Sequence, residues 1–380
     1  MEKNTQPVRV NHFKAFMAGS RHRILGIFFI LVAVFMRLVL TNSLDTSAMT
    51  TFATNINDTA IQIPNWTFNS RVGLDVISLL CIGLGLYEFI RGFKKATSLV
   101  LGIMGVIIVL GFLFWGASGA SISFTGMLAV MVIRAVPITI GALSGILCER
   151  AGIVNIAIEG MMISGAFAGA VIGSIWGLWP GVLAAILMGM LLALIHGVLS
   201  IKYKVDQIIS GTMINILSTG LTSYLYIKFL QDAEYQHLNE SGFFKPFAIP
   251  LLSKIPVIGP IFFDQNLYVY AMFILVIVLW IGLYKTRWGL RHRAMGEHPK
   301  AADTLGVNVF RTRYLACLLS GAVAGFGGSY FSLGSVGRFE QTMTAGRGFI
   351  ALAAMIFGNW NPVGSLGAGF LFGFAESLTT

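Results

Sequence analysis

Long hydrophobic segments separated by short polar stretches repeat along most of the chain. An α-helix rises about 1.5 Å per residue, so about 20 apolar residues cross the roughly 30 Å hydrocarbon core of a bilayer. Nine segments have this length: 24–41, 72–90, 97–115, 124–147, 154–178, 181–201, 208–230, 266–284 and 313–335. Apolar runs at 348–358 and 362–378 follow them. The pattern predicts an all-α, polytopic transmembrane bundle of about 10–11 hydrophobic segments, some broken or re-entrant.

Basic residues are concentrated in alternate connections between the segments. Lys and Arg occur in the N-terminal tail, at 91–95, at 202–204 and throughout 285–313. The connections 42–71 and 231–265 are instead rich in Asn, Thr, Asp and Glu. Cytoplasmic loops are enriched in Lys and Arg, so we expect a multi-pass protein with a cytoplasmic N-terminus.

The first apolar run could also be interpreted as a secretory signal. It spans Ile24–Leu40 and follows Lys14, Arg21 and Arg23. A signal peptide would be followed by a cleavage site of small residues, and no clear one follows here. We therefore expect an uncleaved first span.

Composition supports a membrane protein and suggests two parts. Hydrophobic residues make up 56% of the 380 residues and charged residues only 11%, too few charges to cover a soluble domain of this size. The net charge of +10 therefore fits basic loops rather than nucleic-acid binding. Spans before residue 115 are plain, whereas those after 124 are rich in Gly, Pro and Asn. We expect an N-terminal accessory region at 1–115, with three spans and an external loop, and a transport core at 124–380.

Motifs of covalent chemistry are absent from the sequence. There is no GxxxxGK[ST], HExxH or GxSxG, so the chain cannot bind and hydrolyse ATP by itself. Cys81, Cys148 and Cys317 have no metal-site spacing and imply no disulfide. We predict no catalytic residue, no metal and no cofactor bound by this chain.

Polar residues interrupt the apolar pattern between 148 and 162. Asn155 and Glu159 are four residues apart and would share one face of a helix, next to Gly160. Such a face is typical of a broken helix that lines a cavity. An ordinary hairpin with an interhelical hydrogen bond is the alternative. Asn215 and Trp360 would suit an uncharged, hydrogen-bonding solute such as a nucleobase, or would simply connect helices.

The most basic connection contains a predicted short helix. Pro299 suits its first position, and Gly306 suits the position after its end. So short a helix is unstable alone, which predicts that it docks on a partner or on the ends of this chain's own spans. A solvated basic loop is the simpler alternative.

A third polar stretch, 337–349, precedes an apolar run that is too short to span. The turn-forming sequence at 358–362 contains Asn359. We expect a half-helix whose N-terminus near Arg347 directs its positive dipole end at a polar solute. A surface ion pair among Arg338, Glu340 and Arg347 is the alternative.

These segments together resemble the permease subunit of a bacterial ABC importer, in the branch that carries nucleosides and simple sugars and is related to ribose-type permeases. The resemblance rests on four stretches in order: ALSGILCERAGIVNIAIEGMMISGAF, KVDQIISGTMINIL, RAMGEHPKAADTLGVNV and GRGFIALAAMIFGNWNPVGSLGAGFLFGFAESL. It implies a second permease subunit, an ABC ATPase, an extracytoplasmic substrate-binding lipoprotein and a bacterial plasma-membrane location.

Residue roles follow from the resemblance position by position. The coupling helix for the ATPase would comprise His298, Pro299, Lys300, Ala301, Ala302, Asp303, Leu305 and Gly306. The candidates for the translocation path are Asn155, Glu159, Gly160, Asn215, Arg347, Asn359 and Trp360.

The chain departs from the family pattern at two places. His298 stands where the family usually has Asn, so we expect a weaker, pH-sensitive cap on the coupling helix. The family usually continues through a further helix, so the end at Thr380 suggests truncation.

Three functions remain open from the sequence. The leading hypothesis is ATP-driven import of nucleosides, in particular purine nucleosides. Import of a simple sugar such as ribose or galactose is the alternative in the same class. A stand-alone secondary transporter is less favoured, because its ion relay would need intramembrane groups and only Arg37, Glu88 and Arg134 are available.

Overall fold

The computed structural model describes residues 12–54 and 63–379. The chain forms two compact units whose boundary in the sequence lies at residue 124. The basic residues Lys3 and Arg9 of the N-terminal tail and the chain end at Thr380 lie outside the described residues.

The first unit combines helices with a small sheet. Its elements are α1 (His12–Phe35), β1 (Met49–Ala53), β2 (Trp66–Asn69), α2 (Ser70–Ile90), α3 (Thr97–Gly116) and β3 (Ser121–Ser123). A π-helical turn, Met36–Leu40, extends α1. The predicted spans 24–41, 72–90 and 97–115 are all helical.

The sheet of the first unit occupies a region that the sequence predicts as loop. Strand β1 lies between β2, which is antiparallel to it, and β3, which is parallel. Phe52 is only 4% exposed, and its ring centroid lies 5.9 Å from that of Phe68 and 5.5 Å from that of Phe114. The phenylalanine cluster holds the short strands together, although half of their residues are polar.

The second unit contains the remaining helices and a two-stranded ribbon. Its elements are α4 (Phe124–Glu149), α5 (Ile158–Trp176), α6 (Leu178–Gly197), α7 (Gln207–Leu225), β4 (Phe247–Ala248), β5 (Asp264–Gln265), α8 (Leu267–Lys285), α9 (Arg287–Glu297), α10 (Pro299–Thr304), α11 (Val309–Ser329), α12 (Arg347–Phe357) and α13 (Pro362–Ser377). π-Helical segments extend α6, α7 and α11 at their C-terminal ends.

The predicted fold class is confirmed. Eight helices in the described residues are long and apolar enough to cross a membrane. The other predicted span is α7, whose Ser, Thr and Asn residues lower its hydropathy. The predicted half-helix is present as α12, whose 11 residues extend only about 16 Å.

Small residues let the central helices of the second unit approach closely. A Cβ added at Gly165 of α5 would lie 2.7 Å from the Gly325 carbonyl oxygen of α11. No side chain fits at such a distance, so the backbones of the two helices are in direct contact. Close packing of this kind is how helices associate in lipid, where the hydrophobic effect does not drive them together.

Helix α9 was not predicted from the sequence. It begins after Thr286, whose side chain accepts a hydrogen bond from the Gly289 N–H, and its sequence is basic and short. Met295 and His292 are nevertheless fully buried. The composition of α9 would not make it a stable helix by itself, so contacts with the rest of the second unit stabilise it.

Candidate functional site

The Glu159 carboxylate lies at the N-terminus of the half-helix α12. One oxygen, Oε1, accepts hydrogen bonds from Thr344 Oγ1 at 2.6 Å and from the Gly346 N–H at 2.9 Å. The other, Oε2, accepts from the Gly348 N–H at 2.6 Å. Glu159 is 8% exposed. A side chain of α5 thus neutralises the positive end of the α12 dipole.

This arrangement corrects the predicted role of the α12 N-terminus. The sequence suggested that these N–H groups near Arg347 point at a solute, but the N–H groups of Gly346 and Gly348 are already hydrogen-bonded to Glu159. The Arg347 side chain bonds instead to Glu376, with Nη2 3.1 Å from Oε2. Composition did not reveal the pairing, because Glu159 and Gly348 are 189 residues apart.

The prediction that Asn155 and Glu159 share a helical face is wrong. Helix α5 begins only at Ile158, and Asn155 lies in the extended connection before it. The Asn155 amide oxygen accepts from the Ala157 N–H, and its amide nitrogen donates to Ser320 Oγ at 2.9 Å. Asx-type turns of this kind compete with helix formation, which is why the helix starts late.

Asn215 of α7 also forms its hydrogen bonds within the chain. Its amide oxygen accepts from the Gly160 N–H at 2.8 Å, and its amide nitrogen donates to the Ile156 carbonyl at 2.9 Å. A Cβ added at Gly160 would lie 3.0 Å from Asn215, so the two helices touch there. Asn155, Glu159, Gly160 and Asn215 are thus gathered around the start of α5.

Asn359 and Trp360 lie in a separate place, at the turn between α12 and α13. Both residues have left-handed backbone, with φ of 53° and 51°. The Arg150 guanidinium donates to both carbonyls, and the Trp360 indole N–H donates to Glu149. The Tyr284 hydroxyl also donates to the Trp360 carbonyl, at 3.3 Å. Three side chains, Glu149 of α4, Arg150 just after it and Tyr284 of α8, therefore fix this turn.

Sequence reasoning missed the role of Arg150 in this turn. In the sequence, Glu149 and Arg150 follow the apolar run 124–147, and charged residues at such a position are typical of the boundary between membrane and water. The only signals in the sequence were the two adjacent charges and, about 210 residues later, the turn-forming stretch at 358–362.

The predicted docking helix is present as α10. Pro299 occupies its first turn, and the His298 ring nitrogen Nδ1 accepts a hydrogen bond from the Ala301 N–H at 3.2 Å. Gly306 follows the helix with a left-handed φ of 80°. Of the residues in and just after α10, Ala302 is buried, whereas the Leu305 side chain is 85% exposed.

Helix α9 connects α10 to the rest of the second unit. The His292 Nε2–H donates to the Leu147 carbonyl at 2.7 Å. A Cβ added at Gly296 would overlap the Arg150 carbonyl oxygen, so α9 lies directly against the connection between α4 and α5. Burial lowers the pKa of His292, partly opposed by the hydrogen bond to Leu147. Helix α10 is therefore attached, through α9, to Arg150, whose side chain binds the α12–α13 turn.

The remaining candidate groups form no site for a metal. No cluster of three or more His, Cys, Asp or Glu side chains suited to a metal occurs in the described residues. Cys148 and Cys317, far apart in sequence, have their Sγ atoms 3.6 Å apart and are buried free thiols. The surface ion pair that was the alternative for the stretch 337–349 joins Arg338 and Glu340, 2.7 Å apart, and does not include Arg347.

The long apolar helices of the described residues, with the half-helix α12 among them, are those of a polytopic membrane protein. Residues 126–380 match the family described as the permease component of the branched-chain amino acid transport system. The chain belongs to this permease family, and it is a permease subunit of an ATP-binding cassette importer.

Several named relatives are similar over about two thirds of this chain. The guanosine ABC transporter permease protein NupQ of Bacillus subtilis is 41% identical over 256 residues, which is 65% of this chain and 80% of the relative. The nucleoside ABC transporter permease protein NupC of Lactococcus lactis is 40% identical over 261 residues, 66% of this chain and 81% of the relative. The putative glucose ABC transporter permease protein TsgC13 of Haloferax volcanii is 37% identical over 258 residues, 67% of this chain and 76% of the relative. No solved structure matches.

Proposed function

We propose that this permease subunit imports purine nucleosides across a bacterial plasma membrane, driven by ATP hydrolysis in a separate subunit. The observation that carries the solute class is the 41% and 40% identity to permeases named for guanosine and for nucleosides. The family match covers residues 126–380, which include Glu159, α10 and α12.

We further propose that α10 is the coupling helix that the ATPase contacts. Lys300 and Asp303 are exposed, and Leu305 presents an apolar side chain that is 85% exposed. An exposed large apolar residue beside charged ones on a docked helix suits a protein interface. In this arrangement the positive-inside pattern places α10 and the N-terminus in the cytoplasm.

The same contacts suggest how ATPase movement reaches the path of the solute. A displacement of α10 would be transmitted through α9 to Arg150, which holds the turn at Asn359 and Trp360. That turn ends α12, whose other end is bonded to Glu159. We propose that α12 moves as a rigid half-helix between these two attachments, with the candidate path residues at either end.

The remaining partners are proposed from the class of system. A second permease subunit, identical or paralogous, would complete the path, and an extracytoplasmic lipoprotein would deliver the nucleoside. The first unit would be an accessory region that is separate in sequence from the transport core. ATP and Mg²⁺ would bind only to the ATPase.

Import of a simple sugar is the second candidate. It is favoured by the 37% identity to a putative glucose permease over 258 residues. The experiment that separates the two is uptake of labelled guanosine, adenosine, ribose and glucose into vesicles that contain the assembled system, with and without ATP. Nucleoside uptake that requires ATP supports the proposal. Sugar uptake alone, or uptake that persists with an inactive ATPase and depends on the proton gradient, would refute it.

The coupling helix has its own test with a matched control. Leu305→Asp should abolish co-purification of the ATPase and ATP-dependent uptake, because it puts a charge in the apolar contact. Leu251→Asp is the control, since Leu251 is 83% exposed in the connection between α7 and α8, which the charge pattern places on the opposite side. Equal loss of the ATPase in both variants would contradict the role of α10.

A further inference from the structure

A cavity of about 190 Å³ lies in the second unit, at the N-terminal end of α12. Side chains from α4, the end of α11 and the segment that precedes and begins α12 line it. The lining includes Arg134, Tyr330, Phe331, Glu340, Met343 and Arg347. Of these, only Arg347 was a candidate for the translocation path. The cavity combines aromatic and apolar walls with charged groups.

One charge in this cavity has no partner. Arg134 is the eleventh residue of the 26-residue helix α4, well inside a predicted span. Its guanidinium forms no hydrogen bond or salt bridge with any side chain or carbonyl in the described part of the chain. Arg347 is paired with Glu376 and Glu340 with Arg338. A charge within a span is costly unless it is paired or faces a water-filled cavity, and charged residues in such cavities mark the paths of substrates and ions.

The surroundings of Arg134 do not resemble a phosphate site. Phosphate sites usually combine cations with backbone N–H groups, most often at a helix N-terminus. At the start of α12, which lines the cavity, the N–H groups of Gly346 and Gly348 are bonded to Glu159. The Tyr330 hydroxyl donates to the Ile133 carbonyl at 3.0 Å. The cavity thus offers one free guanidinium among aromatic walls.

We infer that Arg134 recognises the O6 and N7 atoms of a 6-oxopurine nucleoside such as guanosine or inosine. A guanidinium donates two parallel hydrogen bonds to this pair of acceptors, which is the usual contact between Arg and guanine. Tyr330 and Phe331 supply apolar surface for the planar base. Adenosine presents an N6 amino donor in place of O6, so Arg134 should disfavour it. This inference rests on the proposed transport of nucleosides, and it specifies which nucleobase the importer selects.

The test compares solutes that differ by one acceptor. We would measure the initial rate of ATP-dependent uptake in vesicles that contain the complete importer, at solute concentrations below saturation. The two solutes are guanosine and 7-deazaguanosine, which lacks the N7 acceptor. One hydrogen bond to a charged group corresponds to about a tenfold preference for guanosine in the wild type. Arg134→Met keeps the apolar stem and should bring the ratio of the two rates to about one. Arg37→Met, at an exposed arginine in the extension of α1, is the control and should leave the ratio unchanged.

Several results would overturn the inference. A guanosine to 7-deazaguanosine ratio that is the same in Arg134→Met and wild type would exclude a contact with N7, and an equal loss of both solutes would indicate a structural role. Stronger competition by guanosine 5′-monophosphate than by guanosine, lost in Arg134→Met, would indicate a phosphate site instead. If Arg134→Met does not assemble, Arg134→Lys keeps the charge without the two-pronged geometry and must lower the ratio several-fold. Absence of nucleoside uptake in the wild type would refute the proposed function itself, before any variant is made.

Discussion

Replacing Glu159 by Gln should weaken the attachment of the half-helix α12. The carboxylate accepts from Thr344 and Gly346 through one oxygen and from Gly348 through the other. A glutamine has a single acceptor oxygen, and its amide group would then face the Gly348 N–H. Two donors would point at each other in a position that is 8% exposed. The substitution changes shape very little, so its effect comes from the lost charge and the lost acceptor.

The size of the effect follows from these contacts. Losing one hydrogen bond to a charged group costs about 1.5–3 kcal/mol, and removing a negative charge from a partly buried helix N-terminus costs up to about 2 kcal/mol. The two contributions overlap, since the charge strengthens the same bonds. We therefore expect about 2–4 kcal/mol in total, which corresponds to roughly a 30- to 700-fold change in the local opening equilibrium.

Hydrogen exchange measures this opening directly. In Glu159→Gln the amides of residues 344–350 should exchange faster by about that factor, while those of α5 and α11 change little. Glu340→Gln is the matched control: its carboxylate is 45% exposed and paired with an exposed Arg338, a pair that contributes about 0–1 kcal/mol. Unchanged exchange at 344–350 in Glu159→Gln, or an equal increase in Glu340→Gln, would refute the reasoning.

Three further predictions concern the same contacts. Gly348→Ala should destabilise the assembly by about 1–3 kcal/mol in thermal unfolding, because the new Cβ would lie 2.6 Å from the Glu159 backbone, whereas Gly367→Ala, with open space around it, should be neutral. His298→Ala should cost the coupling helix about 0.5–2 kcal/mol and lower uptake per ATP hydrolysed, and His298→Asn should restore both. Protection of α9 from hydrogen exchange should fall as the pH drops below about 6.5. Because the pKa of His292 is lowered in the folded state, the unfolded state binds the proton more readily. The stabilisation that neutral buried His292 gives to the folded state is therefore complete above about pH 6.5 and decreases below it. His292→Gln should remove the pH dependence, and its persistence would contradict this origin.

The contacts around α12 explain why a short helix can be stable inside a bundle. An isolated helix of 11 residues is marginal in water, and in lipid every unsatisfied backbone group is costly. Glu159 satisfies its N-terminus, and Arg150 binds the two carbonyls of the turn that follows its C-terminus. Two charged side chains at opposite ends of the connection between α4 and α5 thus fix both ends of α12.

Part of the candidate site could be predicted because it depends on local sequence. Pro299 and Gly306 delimit α10 correctly, since proline fits the first turn of a helix and glycine adopts the left-handed position after it. Asn359 and Trp360 form the predicted turn for similar reasons. The assignment of Asn155 to a helical face failed because its own side chain bonds to the Ala157 N–H and delays the helix.

The sequence by itself determined most of the long helices and which segments are apolar enough to span a bilayer. Both properties follow from hydropathy and from turn residues within about 20 positions of one another. Only the tertiary structure decided which distant groups meet: Glu159 with Gly348, Arg150 with the turn after α12, and Arg134 with a cavity in which none of the described residues pairs with it. Pairing between helices depends on their packing in three dimensions, which periodicity along one segment does not encode. For that reason the sequence predicted a half-helix at 348–358, and the structure showed that its N-terminus is bound by a carboxylate rather than open to a solute.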